Sequence, residues 1–203
     1  TLGADDGMGV CAALALIASK DVAHGPIEVV ITIDEETGLT GANGIQPGWL
    51  KAKYLLNLDS EEEGFVTIGC AGGIDTLATK KVAWKAPAAG SKGYRIKISG
   101  LKGGHSGIDI NAGRANAIRI LARLLYRLQQ ELPAEIASLK GGNKRNAIAR
   151  EATAVLALDG AKEGALKELV ARIEAETKQA IGAFDPGLAI TVAPVDLPAQ
   201  VME

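Results

Sequence analysis

A β-branched, apolar run at residues 27–33 ends in three consecutive acidic residues, Asp34, Glu35 and Glu36. A Gly-Pro pair precedes the run, so we predict a buried strand of an α/β sheet. The acids then lie at the carboxyl end of the strand, the edge at which open α/β sheets bind ligands. Three neighbouring carboxyl groups repel one another unless a cation, a proton or a basic side chain compensates their charge. The pattern therefore predicts a divalent-metal site.

The same acids also fit a structural role in the helix that follows. Asp34 stands where an N-cap residue would stand, and Glu35 and Glu36 would occupy the first helical turn. Carboxylates are favourable there because they meet the positive end of the helix dipole. Taken alone, the segment leaves both interpretations open.

Acidic residues recur at other predicted junctions of strand and helix in the first sixty residues. Asp5 and Asp6 precede an Ala- and Leu-rich helix predicted for residues 7–20, which is apolar enough to be buried. A second apolar strand, predicted for residues 54–59, ends in Asp59. In a doubly wound sheet such ends converge on one edge. Capping explains each acid separately but not their recurrence, so the pattern favours a shared metal site.

Composition and charge argue against several functional classes. The 203 residues carry 22 Lys and Arg against 24 Asp and Glu, and 3% are aromatic, so nothing indicates nucleic-acid binding. The uncharged apolar run at residues 10–18 is too short to span a bilayer, and no basic segment precedes it as in a signal peptide. Cys11 and Cys70 lack a metal-binding spacing, which favours a reduced, cytoplasmic protein. Because Thr1 opens directly into a glycine-rich loop, we expect the chain to be a fragment.

A change in composition at residues 85–91 predicts a boundary between two domains. We expect residues 1–86 to be an incomplete, doubly wound α/β domain, with further strands at residues 65–70 and 74–79. Residues 91–203 are expected to form an α+β domain of ferredoxin-like β-α-β-β-α-β order, with both helices on one face of an antiparallel sheet. The segments that give this order, by alternation or helical periodicity, are residues 94–98, 111–128, 134–139, 147–158, 166–181 and 188–195.

One loop of the second domain presents a histidine. His105 lies among four glycines at residues 100–107, so its ring is expected to be offered to a ligand, although a solvated loop histidine stays possible. No Gly-Lys-Ser/Thr ending is present, which argues against a phosphate loop. A cysteine hydrolase built on Cys70 and His105 lacks an identifiable third partner. The other histidine, His24, is expected to be a surface residue.

Five motifs together resemble the di-zinc metallopeptidase superfamily that includes aminoacylases and carboxypeptidases, and within it the aminoacyl-histidine dipeptidases, which cleave Xaa-His dipeptides such as carnosine. The likeness runs through nearly the whole chain. The motifs are Gly3-Ala4-Asp5-Asp6-Gly7, Asp34-Glu35-Glu36-Thr37-Gly38, Leu58-Asp59-Ser60-Glu61, Gly69-Cys70-Ala71-Gly72-Gly73 and Gly103-Gly104-His105-Ser106-Gly107.

The resemblance implies a role for each matching residue. Asp5 would bridge two zinc ions, with Glu36 completing one metal site and Asp59 the other. Glu35, free of metal, would act as the general base that activates water and returns its proton to the leaving amine.

The resemblance also implies roles for the second domain. His105 would stabilise the oxyanion in the site of the other subunit, which implies a homodimer joined through this lid domain. Asn146 matches a lid asparagine that contacts the dipeptide substrate. Ala149 stands where the family usually has proline, a difference that bears on the rigidity of the loop.

The chain departs from the family at its metal ligands, because it contains neither the upstream His-x-Asp motif nor the late histidine. Only oxygen ligands remain, whereas zinc prefers imidazole among its protein ligands. We therefore expect the parent protein to be a dipeptidase and this chain alone to be inactive. A tripeptidase, an N-acyl amino acid deacylase and a non-catalytic dimerisation module are the alternatives.

Overall fold

A computed structural model describes residues 6–60 and 62–203. The chain separates into two compact units, an N-terminal unit (Thr1–Asp75) and a C-terminal unit (Thr76–Glu203). No helix in the described residues is long and apolar enough to cross a membrane.

Helix α1 (Gly7–Ala18) of the N-terminal unit is capped by Asp6, whose side chain accepts the Gly9 N–H at 2.8 Å. The predicted helix at residues 7–20 is thus confirmed, and Asp6 has the capping role. Its predicted burial is wrong, since Leu14 and Ile17 are 53% and 56% exposed. Two four-residue helices follow, α2 (Glu35–Gly38) and α3 (Thr40–Asn43).

The strands predicted for the first eighty residues are not formed. Residues 6–60 and 62–79 contain no strand, and within the expected buried strand at residues 27–33 Ile31 is 57% and Ile33 68% exposed. An extended apolar segment becomes a strand only where neighbouring backbone groups pair with it. The expected doubly wound sheet is therefore absent from these described residues.

The C-terminal unit has the predicted β-α-β-β-α-β order within a longer series of elements. The first half contains β1 (Trp84–Lys85), β2 (Ser91–Ser99), β3 (Gly104–His105), a 3₁₀ turn (Ile110–Ala112), α4 (Ala117–Glu131) and β4 (Glu135–Gly141). The second half contains β5 (Ala147–Ile148), β6 (Ala152–Asp159), a 3₁₀ turn (Gly160–Lys162), α5 (Glu163–Ile181), β7 (Ala189–Val195) and β8 (Val201–Met202).

The main sheet has the strand order β4-β6-β2-β7, and all neighbours are antiparallel. Each helix therefore joins two strands that have a third strand between them. The strand predicted for residues 147–158 is two strands, because β5 pairs with β3 whereas β6 joins the main sheet. Strands β1 and β8 form a separate antiparallel pair.

One core lies between the main sheet and both helices. Tyr94, Ile96 and Ile98 alternate along β2 and are buried, whereas Arg95 between them is exposed. The helices contribute a buried face at helical spacing to the same cluster. Its helical members are Ala117, Ile120, Leu121, Leu124, Leu125 and Leu128 of α4 and Leu166, Leu169, Val170 and Ile173 of α5.

Candidate functional site

His105 and Asn146 are brought together by the short antiparallel pair of β3 and β5. His105 lies opposite Ala147 in this pair, and the Ser106 N–H donates to the Asn146 carbonyl at 2.8 Å. The residues come from connections far apart in the sequence, the first between β2 and α4 and the second between β4 and β6. The structure thus places two predicted site residues side by side.

Both residues line a cleft of about 800 Å³. Lys102, Lys140 and Arg150 also line it, against the single carboxylate of Glu151, which pairs with Lys97 at 3.2 Å. Cations in excess attract an anion, and guanidinium or ammonium groups bond carboxylates strongly. The cleft is therefore suited to a ligand that carries a carboxylate.

The ring of His105 is held in one tautomer by its own loop. Its Nδ1 accepts backbone N–H groups from Gly107 at 3.1 Å and from Ile108 at 3.2 Å. An Nδ1 that accepts leaves the ring proton on Nε2. Because the side chain is exposed, Nε2–H is a donor available to a ligand.

Two side chains that the sequence analysis missed hold the backbone around His105. Asp109 accepts the His105 N–H at 2.8 Å and pairs with Arg114 at 2.9 Å. Arg114 in turn donates to the Gly103 carbonyl at 2.6 Å. Gly104 has a φ of 143°, a backbone conformation that favours glycine, and a Cβ there would lie 2.3 Å from Arg114 Nη1. The glycine density of the loop was the sequence signal for this close packing.

The predicted site acids Glu35, Glu36 and Asp59, together with Asp34, are exposed and lie in short or irregular segments. Glu35 and Glu36 occupy the first turn of α2, as the structural interpretation predicted. Asp34 has a left-handed backbone with φ 56° and makes no side-chain capping bond. The N–H of Asp59 donates to Asn57 Oδ1 at 3.0 Å. Asp5 lies outside the described residues.

No group of three or more His, Cys, Asp or Glu side chains that could hold a metal ion occurs in residues 6–60 and 62–203. Glu35, Glu36 and Asp59 are therefore not gathered at one edge, because the strands that would bring their ends together are not formed. The described residues by themselves hold no di-metal centre, and Asp5, the predicted bridging ligand, lies outside them.

Comparison with protein families identifies a peptidase dimerisation domain at residues 96–184. The chain is similar to the cytosol non-specific dipeptidase of Escherichia coli, with 43% identity over 94% of this chain and 39% of that protein. It is also 30% identical to an uncharacterised protein of Bacillus subtilis, over 74% of this chain and 38% of that protein.

Among solved structures, the aminoacylhistidine dipeptidase of Vibrio alginolyticus matches all of this chain and 41% of that chain, with a TM-score of 0.76 and 42% identity. The chain thus spans about two fifths of the length of these dipeptidases.

Proposed function

We propose that this chain, which contains a peptidase dimerisation domain at residues 96–184, belongs to the M20 peptidase family and that the whole protein is a dipeptidase that hydrolyses Xaa-His dipeptides. Two dipeptidases are 43% and 42% identical to this chain in alignments that cover 94% and 100% of its length. One is named for dipeptides that end in histidine and the other for dipeptides in general, so the substrate range is part of the proposal.

The observation that carries the proposal is the meeting of His105 and Asn146 in one cationic cleft. A dipeptide ends in a carboxylate, which the ammonium and guanidinium groups of Lys102, Lys140 and Arg150 would attract. The amide of Asn146 would add a directional hydrogen bond.

His105 would donate its Nε2–H to the carbonyl oxygen that becomes negative when water attacks. A donor whose orientation is fixed before the reaction stabilises that charge without reorganising, and the bonds at Nδ1 supply such fixing.

We assign the metal chemistry on family grounds alone. M20 peptidases are metal-dependent, and our proposal is two zinc ions with Asp5, Glu36 and Asp59 as ligands and Glu35 as general base. Since the chain offers only oxygen ligands in place of the family's metal-binding histidines, we also propose that the 203-residue chain alone does not turn over dipeptides.

We further propose that residues 91–203 form a ferredoxin-like lid that joins two copies of the protein, which is supported by the match to a peptidase dimerisation domain. A cytoplasmic location is proposed from the name of the Escherichia coli relative. Light scattering after size-exclusion chromatography should give twice 20.9 kDa for the chain, with or without zinc. A mass of 20.9 kDa at micromolar concentration would contradict the homodimer.

The activity test uses the whole protein with zinc and a panel of Xaa-His dipeptides, other dipeptides, a tripeptide and an N-acyl amino acid. We expect kcat/KM to be greatest for the Xaa-His dipeptides. A preference for the tripeptide or the N-acyl amino acid would replace the proposal by one of those activities.

A pair of histidine variants tests the role of His105. His105→Ala should lower kcat by about 10²-fold or more, as loss of an oxyanion donor does. His24→Ala is the matched control, because His24 is exposed and its ring Nδ1 bonds the carbonyl of the neighbouring Gly25 at 2.8 Å. Equal activity in the two variants would remove His105 from the mechanism.

The second candidate is a dimerisation module without catalysis, favoured by the separate core of the C-terminal unit. It predicts a dimer in the whole protein and no hydrolysis of any member of the panel.

A further inference from the structure

Asp185 is the one charged side chain buried within residues 6–60 and 62–203, with 0% of its surface exposed. It lies in the turn between α5 and β7, where its N–H donates to the Ile181 carbonyl at 3.0 Å. Its carbonyl accepts the Leu188 N–H at 3.2 Å, so both sides of the turn are fixed. A buried carboxylate is costly unless every oxygen is bonded, so its partners indicate what it is there to hold.

The two oxygens of Asp185 hold the two ends of the histidine loop, which we define as residues 102–115. Oδ1 accepts the Lys102 N–H at 2.7 Å, and Oδ2 accepts the Ala115 N–H at 2.6 Å. A single side chain thereby closes the loop at its base. Phe184 adds a second contact, since a Cβ on Gly113 (φ 71°) would lie 2.8 Å from its ring.

Successive cross-links continue from this base to His105. Next to Ala115, Arg114 donates to the carbonyl of Gly103, which itself follows Lys102. Arg114 also pairs with Asp109, and Asp109 accepts the N–H of His105. Each of these bonds begins at a residue that is adjacent in sequence, or bonded, to a residue of the preceding bond. The orientation of the histidine backbone therefore depends on the closed base.

We propose that Asp185 is a positioning residue for His105, acting from the far side of the loop without touching the ring. The catalytic consequence of orienting His105 rests on the proposed function. The effect of Asp185 on the conformation of the histidine loop does not. Only a carboxylate offers two acceptors to two backbone donors here. An asparagine has the same size but offers one acceptor and one donor. Its side-chain NH₂ would therefore face the backbone N–H of either Lys102 or Ala115, and that loop end would lose its hydrogen bond.

The test compares the 203-residue chain with its Asp185→Asn variant. Amide hydrogen exchange rates are measured for Lys102, residues 103–109 and Ala115. Long-range ¹H–¹⁵N correlation spectra of the imidazole ring report the tautomer of His105. In the variant we expect exchange within the loop to accelerate at least about tenfold relative to the amides of β2 and β6. The His105 ring should change from the Nε2–H tautomer to an averaged signal.

Asp159→Asn is the matched control, because Asp159 is exposed and also accepts a backbone N–H, from Ala161 at 3.0 Å. In the Asp159→Asn variant, the amide exchange rates of the histidine loop and the His105 ring spectrum should equal those of the parent chain. If Asp185→Asn fails to fold, Asp185→Ser, which retains one acceptor, is measured in its place.

Two results would overturn the proposal. One is a folded variant in which loop exchange and the His105 spectrum are unchanged. The other is acceleration of loop, β2 and β6 amides by the same factor, which would make Asp185 merely structural. Neither measurement requires turnover, so failure of the coupling and failure of the dipeptidase proposal are read separately.

Discussion

The C-terminal unit buries many of its large apolar side chains, whereas those of the N-terminal unit are largely exposed. Leu156 of the C-terminal unit is 0% exposed, whereas Leu55 and Leu56 of the N-terminal unit are 83% and 85% exposed. In the C-terminal unit every strand has a hydrogen-bonded neighbour, and two helices cover the main sheet. Residues 6–60 and 62–75 contain no strand. Apolar composition alone therefore does not produce a core, because burial also requires partner elements with paired backbones.

The difference bears on function, because the two sets of predicted site residues divide between the units. His105 and Asn146 belong to paired strands and their connections, and the structure brings them into one cleft. Glu35, Glu36 and Asp59 lie in short or irregular segments and are not gathered. A site is assembled only where the surrounding elements hold its residues.

The largest expected contrast is in amide hydrogen exchange. Amides of β2 and β6 should exchange about 10³-fold or more slowly than unstructured chain, because opening them requires most of the free energy of unfolding. Amides of residues 27–33 should exchange within about tenfold of the unstructured rate. Mass spectrometry of peptides from both regions measures this, and equal protection would show that residues 27–33 are paired as a strand.

A matched pair of leucine substitutions should give the next largest difference. Leu156→Ala should lower the free energy of unfolding by about 2–5 kcal/mol, since it removes buried methyl groups and leaves a cavity. Leu56→Ala should change it by less than about 0.5 kcal/mol because that side chain is already in water. Urea denaturation followed by circular dichroism compares the two, and similar midpoints would contradict the assigned burial.

The smallest expected effect concerns the phenol of Tyr94, which donates to Glu163 at 3.2 Å. Tyr94→Phe should lower the free energy of unfolding by about 1 kcal/mol at neutral pH, the net value of such a bond. Tyr126→Phe is the control, because Tyr126 is 69% exposed.

The Tyr94 effect should depend on pH at both extremes. Burial, followed by the bond to Glu163, raises the pKa of Tyr94, so its contribution is complete below about pH 10 and is lost as the pH rises through the raised pKa. The Lys167 hydrogen bond, and then Tyr94, lower the pKa of Glu163, so its part is present at neutral pH and is lost as the pH falls through the lowered pKa. A constant difference between Tyr94→Phe and parent chain across pH 2–12, roughly the range of these titrations, would contradict this coupling.

Much of the C-terminal unit could be predicted, because its periodicities are local. The alternation of Tyr94, Ile96 and Ile98 is confirmed by their burial. Of the helical spacing predicted for Ile118, Leu121, Leu125 and Leu128, the three leucines are buried, whereas Ile118 is 46% exposed. The change in composition predicted a domain boundary at residues 85–91, and the two compact units of the structure divide after Asp75. His105 and Asn146 were found from glycine content and family resemblance.

The residues that organise the histidine loop could not be found in this way. Asp109 and Asp185 accept backbone N–H groups and Arg114 donates to a backbone carbonyl. Because these backbone groups are alike in nearly every residue, no side-chain pattern marks the partner. The acids at residues 34–36 carried the stronger sequence signal, yet the described structure gathers no metal-binding group around them.

The sequence by itself determined the order and approximate positions of the four main-sheet strands and the two long helices of the C-terminal unit, since side-chain period follows directly from local backbone geometry. Only the tertiary structure decided which apolar segments are buried, that β3 and β5 pair, and that Asp185 closes the loop of His105. The reason is physical: burial and buried hydrogen bonds are properties of pairs, and the second member of each pair comes from a distant part of the chain.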